Sequence, residues 1–182
     1  QLDRVYLKPR YGSSASGVVA YRRNKAGRQQ ATTSATLHRT EGITRLMNSK
    51  RMARYESEHD IAALVDALAA QELYAEAWLN KPRCGDSHYD LRVVTLAGQP
   101  AHRVARISKQ MMTNLHLDNR RGDVAGLLNA ADLAALEATS AQAACAFPHS
   151  HVTGYDLVVR QGQAHVLEAN AFGDLLPGLL WQ

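Results

Sequence analysis

Gly154-Tyr155-Asp156-Leu157-Val158-Val159-Arg160, then Gln161-Gly162-Gln163, then Ala164-His165-Val166-Leu167-Glu168-Ala169-Asn170, is the stretch on which the fold turns. Two apolar, β-branched runs flank a short connection that contains a glycine, which is the pattern of a β-hairpin. Along the second run Glu168 and Asn170 are two residues apart, so strand alternation puts both side chains on one face. Asp156 joins them only in one register. A three-residue loop, Gln161 to Gln163, with Gly162 in a left-handed conformation, pairs Arg160 with Ala164 and sets Asp156 opposite Glu168. A two-residue loop would set Asp156 opposite Leu167, on the wrong face. The three-residue loop is therefore expected, with Leu157 and Leu167 on the apolar side. Asp, Glu and Asn on one sheet face are three hard oxygen donors of the kind that bind Mg²⁺ shared with phosphates. The plainer alternative is an edge hairpin with a solvated acidic face.

The 182 residues suffice for one sizeable domain or two small lobes, and an apolar content of 46% excludes a mainly disordered chain. No run approaches the length of a membrane span, and Gln1-Leu2-Asp3-Arg4 lacks the apolar segment of a signal peptide. A chain that starts on Gln and runs at once into a strand reads as a piece of a longer protein. Cys84 and Cys145 lie far apart without metal-ligand spacing, so reduced thiols in a cytoplasmic protein are expected. The net charge of +4 comes mostly from arginine, which favours anionic partners such as phosphates. Sparse aromatics and the lack of zinc-finger or RNA-binding signatures argue against a nucleic-acid partner.

Taken in order, Arg4-Val5-Tyr6-Leu7-Lys8 reads as a strand ended by Pro9. Pro9 to Gly17, with two glycines and three serines, reads as a flexible flap whose amides and hydroxyls would cover phosphate oxygens, with Lys8 at its base. An ordinary Gly/Ser turn is the alternative. Val18 to Tyr21 resumes a strand, Gly27 marks a turn, and Gln30 to Leu37 is β-prone. Arg39 to Ser57 is charged and poorly patterned, a connector with a short helix around Thr44 to Met47. Ile61, Leu64, Val65 and Leu68 then recur at helical spacing. Leu73 to Leu79 reads as a buried strand, His88 to Leu96 and His102 to Ile107 as a strand pair joined at Ala97 to Pro100. Asp90, Arg92 and Arg106 interrupt these apolar strands, and a charge inside a sheet needs a partner or a ligand. Met111 to Asp123 is a polar loop, and Ala130 to about Ala144 an Ala-rich helix.

In this order the motifs resemble a known family. Lys-Pro-x-x-Gly-Ser-Ser-x-x-Gly-Val at Lys8 to Val18, Ala-Glu-x-Trp-Leu at Ala75 to Leu79, Asp-Leu-Arg-Val-Val at Asp90 to Val94, Thr-Asn-Leu-His at Thr113 to His116, and Asp156 with Glu168-x-Asn170 are similar to those of the ATP-grasp superfamily. The nearest likeness is to the RimK-like ligases, relatives of glutathione synthetase. The resemblance spans nearly the whole chain and implies an α+β fold of two lobes with mainly antiparallel sheets and ATP between them. Residues 1–72 would form an incomplete N-terminal lobe carrying the flap, and residues 73–182 the C-terminal lobe carrying the metal site. It further implies that Lys8, Gly12, Ser13 and Ser14 contact the phosphates and that Glu76, Ala77, Trp78 and Leu79 form the hinge that reads adenine. Asp90 would lie at the nucleotide, Arg92, Arg106 and Asn114 would serve phosphoryl transfer, and Asp156, Glu168 and Asn170 would hold Mg²⁺ or Mn²⁺. Met112 stands where the RimK-type pattern has arginine, and His116 to Gly122 replaces a glycine-rich continuation.

The chemistry implied is ligation of a carboxylate to an amine. The γ-phosphoryl of ATP passes to a carboxylate, and an amine of an amino acid or peptide attacks the acyl phosphate. Positioning and charge neutralisation carry such a reaction, without a protein nucleophile. Small-molecule or peptide carboxylates and amines are the expected substrates, with no nucleic-acid or membrane partner and with a homo-oligomer compatible. An ATP-grasp phosphotransferase that forms no amide, or a nucleotide-binding regulatory module without catalysis, are the alternatives. His116 and His165 read as ordinary polar residues, and Arg120-Arg121 either as a grip on an acidic substrate or as a solvated pair.

Overall fold

A computed structural model describes residues 3–11, 16–40, 43–109 and 120–171. The chain is α+β, with two antiparallel sheets and two helices among the described residues, and it divides into Gln1–Leu79 and Asn80–Gln182. The strand at Leu73–Ala77 pairs with the first strand of the chain and falls in the first of these units. No helix among the described residues is long and apolar enough to cross a membrane.

The first unit runs β1 (Arg4–Pro9), β2 (Val19–Arg23), β3 (Gln29–Thr40), β4 (Ile43–Tyr55), α1 (Glu58–Ala69) and β5 (Leu73–Ala77), in the sheet order β4-β3-β2-β1-β5. Ser57 caps α1, its hydroxyl oxygen accepting from the Asp60 amide at 3.1 Å. Ile61, Leu64 and Leu68 then fall on one stripe and pack on Val19, Ala31 and Ala35 of the sheet. Gly17 (φ +73°) closes against this layer, where an added Cβ would stand 3.0 Å from Pro9 Cγ and 3.2 Å from Leu68 Cδ2.

Two expectations fail here. Ile43–Tyr55 is a strand, not a connector with a helix at Thr44 to Met47. It is the outermost strand of the sheet, so half its side chains meet water, and the pairing is interrupted between Thr33 and Ala35 of β3, opposite Ser49 to Met52. Charge and irregularity on an edge hide the strand pattern that a half-buried segment would show. The strand at Leu73 to Leu79 ends at Ala77 and is not buried, with Tyr74 at 44% exposure, because among the described residues β5 has a strand partner only on its β1 side.

The second unit runs β6 (Arg83–Cys84), β7 (Ser87–Leu96), β8 (Gln99–Ser108), β9 (Arg120–Gly122), α2 (Ala130–Ala144), β10 (Val152–Arg160) and β11 (Gln163–Ala171). The sheet order is β11-β10-β7-β8-β9, and β6 pairs with the start of β7. Arg120–Gly122 is thus a short strand rather than part of the polar loop expected from Met111 to Asp123. Alternation splits the sheet chemically. Tyr89, Leu91, Val93, Ala105, Ile107, Tyr155, Leu157 and Val159 face one way and, with Leu136 and Ala144 of α2, make the core. Full burial of each such aliphatic side chain is worth roughly 1.5–3 kcal/mol. The opposite face receives Asp90 and Arg92 from β7, Arg106 from β8 and Asp156 from β10.

Candidate functional site

Asp90, Arg92, Arg106 and Asp156 are 1%, 3%, 7% and 6% exposed, and charges this deep in a sheet are tolerated only when paired. The registers supply the partners. Asp90 lies opposite Arg106 across β7–β8, and Arg92 opposite Asp156 across β7–β10. Lys81 Nζ donates to Asp90 Oδ2 at 2.8 Å, and Arg106 Nε donates to Asp90 Oδ1 at 2.7 Å. Arg106 Nη2 reaches on to Asp156 Oδ2 at 2.8 Å. Arg92 spans both oxygens of the same carboxylate, through Nε to Oδ1 and through Nη2 to Oδ2 at 3.2 Å. The result is a continuous chain of charges, Lys81–Asp90–Arg106–Asp156–Arg92, across three neighbouring strands. Burial by itself would raise the Asp90 carboxyl, but Lys81 and Arg106 outweigh it and hold Asp90 down at about 2. Burial likewise works to lower Arg106, and the carboxylates of Asp90 and Asp156 outweigh it and raise it. Both ions stay charged throughout the physiological range. Lys81 is a site residue beyond those that the motifs imply. The signal for it was Asp90 itself, a carboxylate inside an apolar strand with a lysine nine residues upstream in a connector.

The hairpin confirms one part of the expected geometry and corrects another. Asp156 does pair with Glu168, and Gly154 with Asn170, so Asp156, Glu168 and Asn170 share a face. The connection is nevertheless a two-residue turn, since Arg160 pairs with Gln163, with Gln161 (φ 53°) and Gly162 (φ 73°) both left-handed as a type I′ turn requires. A bulge restores the face. Leu157 pairs with Val166 and Asp156 with Glu168, which leaves Leu167 as the extra residue. The turn is tied down by the Gly162 amide, which donates to Asp132 Oδ1 in the first turn of α2 at 2.6 Å.

Asp156, Glu168 and Asn170 are hard oxygen donors, and Glu168 is exposed next to the buried carboxylate. Asn170 Nδ2 is buried without a hydrogen-bond partner among the described residues. An amide end in that state suits a ligand: as Nδ2 it would donate to a phosphate oxygen, and turned over, as Oδ1, it would meet a hard cation. The donor set therefore fits Mg²⁺ in kind, but Asp156 is engaged by two guanidiniums. Among the described residues no group of three or more His, Cys, Asp or Glu side chains is gathered to hold a metal, the trio here being two carboxylates and an amide.

In the first unit Lys8 on β1 and Glu76 on β5 also meet, with Lys8 Nζ 2.6 Å from Glu76 Oε2. Tyr6 pairs with Glu76 across the strands, so the ion pair runs diagonally on that face. Ala77 is the exposed last residue of β5. The Trp78 amide donates to the Arg4 carbonyl at 3.4 Å, and its indole packs on Tyr6 with ring centroids 4.9 Å apart. Trp78 Nε1 is buried without a partner among the described residues, and half-buried Leu79 ends the unit. Gly12, Ser13, Ser14 and Asn114 lie outside the described residues, as do Met112 and His116. His165 is exposed on β11, paired with Val158. Arg120 and Arg121 are exposed on β9, the last strand in the sheet order among the described residues.

Each unit thus holds its expected phosphate-binding cations in contact with its expected acidic residues: Lys8 with Glu76, and Arg106 and Arg92 with Asp90 and Asp156. No protein-family model matches the chain, and no curated protein matches it in sequence.

Proposed function

We propose that the chain is an ATP-dependent carboxylate–amine ligase of the ATP-grasp type, working in the cytoplasm with Mg²⁺ or Mn²⁺. The observation that carries the proposal is the register of β10, which puts Asp156 level with Glu168 on one side and Arg92 on the other. Metal-ligand chemistry and phosphate-binding chemistry are thereby adjacent on one sheet face, in the order that the motif resemblance implies. The Lys8–Glu76 pair of the first unit is a second, separate support.

In this mechanism Arg92 and Arg106 donate to the oxygens of the transferring phosphoryl group, and Asn114 would add a further donor. Asp90 and Lys81 keep Arg106 in place, since Arg106 Nε is fixed by Asp90 before any substrate arrives. Bound through Asp156, Glu168 and Asn170, a divalent cation would neutralise phosphate charge. Lys8 would serve the phosphates, the segment Gly12 to Ser14 would cover them, and the Glu76 to Leu79 hinge would take the adenine edge. Acyl transfer then needs an acid that presents its carboxylate to the γ-phosphate and an amine that attacks the acyl phosphate, releasing phosphate. A phosphotransferase without amide formation uses the same first step.

The test is a screen of Mg²⁺-ATP with amino acids and peptides, read by mass spectrometry for ADP together with a new amide. Glu168→Ala should abolish substrate-dependent ADP release. ADP and a phosphorylated product without an amide would select the phosphotransferase. Thermal stabilisation by Mg²⁺-ATP with no turnover of any substrate would select the regulatory module, and the lack of any stabilisation would refute the nucleotide site itself.

A further inference from the structure

We propose that Arg92 makes the acidic face of β10 and β11 selective for a divalent cation that arrives together with a polyphosphate, and shuts out the free ion. The proposal rests on the reading of Asp156, Glu168 and Asn170 as metal ligands. Its physical basis is the state of Asp156. Both of its oxygens are already taken: Oδ1 by Arg92 Nε, and Oδ2 by Arg92 Nη2 at 3.2 Å and Arg106 Nη2 at 2.8 Å. The carboxylate and the two guanidiniums are each less than a tenth exposed.

Magnesium binds oxygen at roughly 2.0–2.1 Å and tolerates little distortion, so Asp156 must surrender at least one guanidinium contact to become a ligand. A free cation offers nothing to the guanidinium it displaces. It would also sit beside two buried positive charges, in surroundings where water screens them weakly. A polyphosphate removes both obstacles. Its oxygens match the guanidinium fork, take Arg92 as a bidentate partner, and supply negative charge beside the incoming metal. The two guanidiniums meet Asp156 differently: Arg106 reaches one of its oxygens and Arg92 reaches both. Arg106 also donates through Nε to Asp90, which Lys81 holds at 2.8 Å. Arg92 is the residue that covers both oxygens of Asp156, so its transfer to phosphate is what opens the carboxylate. Metal and nucleotide accordingly bind as one unit, and without a polyphosphate the face stays closed to the free Mg²⁺ of the cell.

The experiment measures Mn²⁺ binding to the whole chain by water-proton relaxation enhancement, with Mn²⁺ alone and with Mn²⁺ plus a non-hydrolysable ATP analogue. For the unaltered protein, Mn²⁺ should bind at least about tenfold more tightly with the analogue than alone, a coupling of ordinary allosteric size. Arg92→Gln should tighten binding of Mn²⁺ alone by about tenfold, the same coupling now released. The gain should vanish in Arg92→Gln/Glu168→Gln. Arg92→Lys, which keeps a charge but loses the fork, should give a smaller gain in the same direction and stands in if Arg92→Gln does not fold. Tight, Glu168-dependent binding of Mn²⁺ alone to the unaltered protein would overturn the selectivity while leaving the metal site intact. Unchanged affinity for Mn²⁺ alone in both Arg92 variants would overturn it too. No binding of Mn²⁺ with or without the analogue, in any variant, would remove the metal site itself and the proposal with it.

Discussion

Replacing Asp156 with asparagine keeps the shape of the side chain and removes the charge that Arg92 and Arg106 share. Arg92 loses the acceptor of its Nε and Nη2, and Arg106 the acceptor of its Nη2, although Arg106 keeps Asp90. Breaking a buried ion pair by removing one partner destabilises by about 3–5 kcal/mol, because the remaining charge stays desolvated. With a urea slope of about 2 kcal/mol/M, the unfolding midpoint of the second unit should fall by about 2 M. The site of the loss matters as much as its size. Hydrogen exchange should quicken in β7, β8 and β10 and leave β1 to β4 unchanged. Arg92→Met combined with Asp156→Asn removes both members of the pair and restores the original balance of the remaining named charges. The double variant should therefore be more stable than Asp156→Asn alone by at least about 1 kcal/mol, a non-additivity expected of groups in contact. A loss below about 1 kcal/mol for Asp156→Asn, or strict additivity in the pair, would refute the claim that this carboxylate is the centre of the charge chain.

Three further outcomes follow from particular positions. Asp90 keeps its charge down to about pH 2 in the folded chain, while an unfolded aspartate protonates near pH 4, so between these values the unfolded state binds the extra proton. Stability should thus fall by about 2 kcal/mol as pH drops from about 4 to about 2 on account of this residue, and Asp90→Asn should flatten that part of a urea-midpoint profile. Gly122→Ala would drive a Cβ into Ile107 Cδ1 within the core, destabilising by about 1–3 kcal/mol, and Ile107→Val in the same chain should recover much of the lost thermal midpoint. Ala97 holds φ 47° beside Gly98 in the turn between β7 and β8, so Ala97→Asn should raise stability by about 0.5–1 kcal/mol in the same denaturation assay.

How far the sequence disclosed all this depends on what each residue had to satisfy. Ile61, Leu64 and Leu68 disclosed α1 because a stripe buried on one side leaves a helical period in the residues. Asp90, Arg92 and Arg106 stood out because a charge within a β-branched run must be paired or liganded. That they join Asp156 in one chain was not legible, since it needs β10 to lie beside β7, a pairing across more than fifty residues. β4 was hidden because an edge strand with Arg45, Arg51 and Arg54 and an irregular centre satisfies solvent rather than a core. Lys81 sits in a connector that gives no sign of its own role, and only Asp90, a carboxylate inside an apolar strand, points to a cationic partner. The length of the turn at Gln161–Gly162 is not legible in the residues, because Gly162 suits either loop length and nothing in Val166-Leu167-Glu168 announces a bulge.

That bulge gives the hairpin something like a reading frame. Every residue beyond Leu167 has its face set by a running count that begins at the turn, and Leu167 is the one place where the count is advanced. Straightening the strand through Leu167 would act as a frame error: with Leu167 itself taken into the ladder opposite Asp156, Glu168 and Asn170 would turn toward the apolar side and their neighbours would take the acidic one, with no change in composition. A turn that took in Gln163, setting Arg160 opposite Ala164, would restore the phase downstream, as a second frameshift suppresses a first. Chains related to this one could therefore differ in turn length and in the bulge while presenting the same three side chains, provided that the two changes come as a pair.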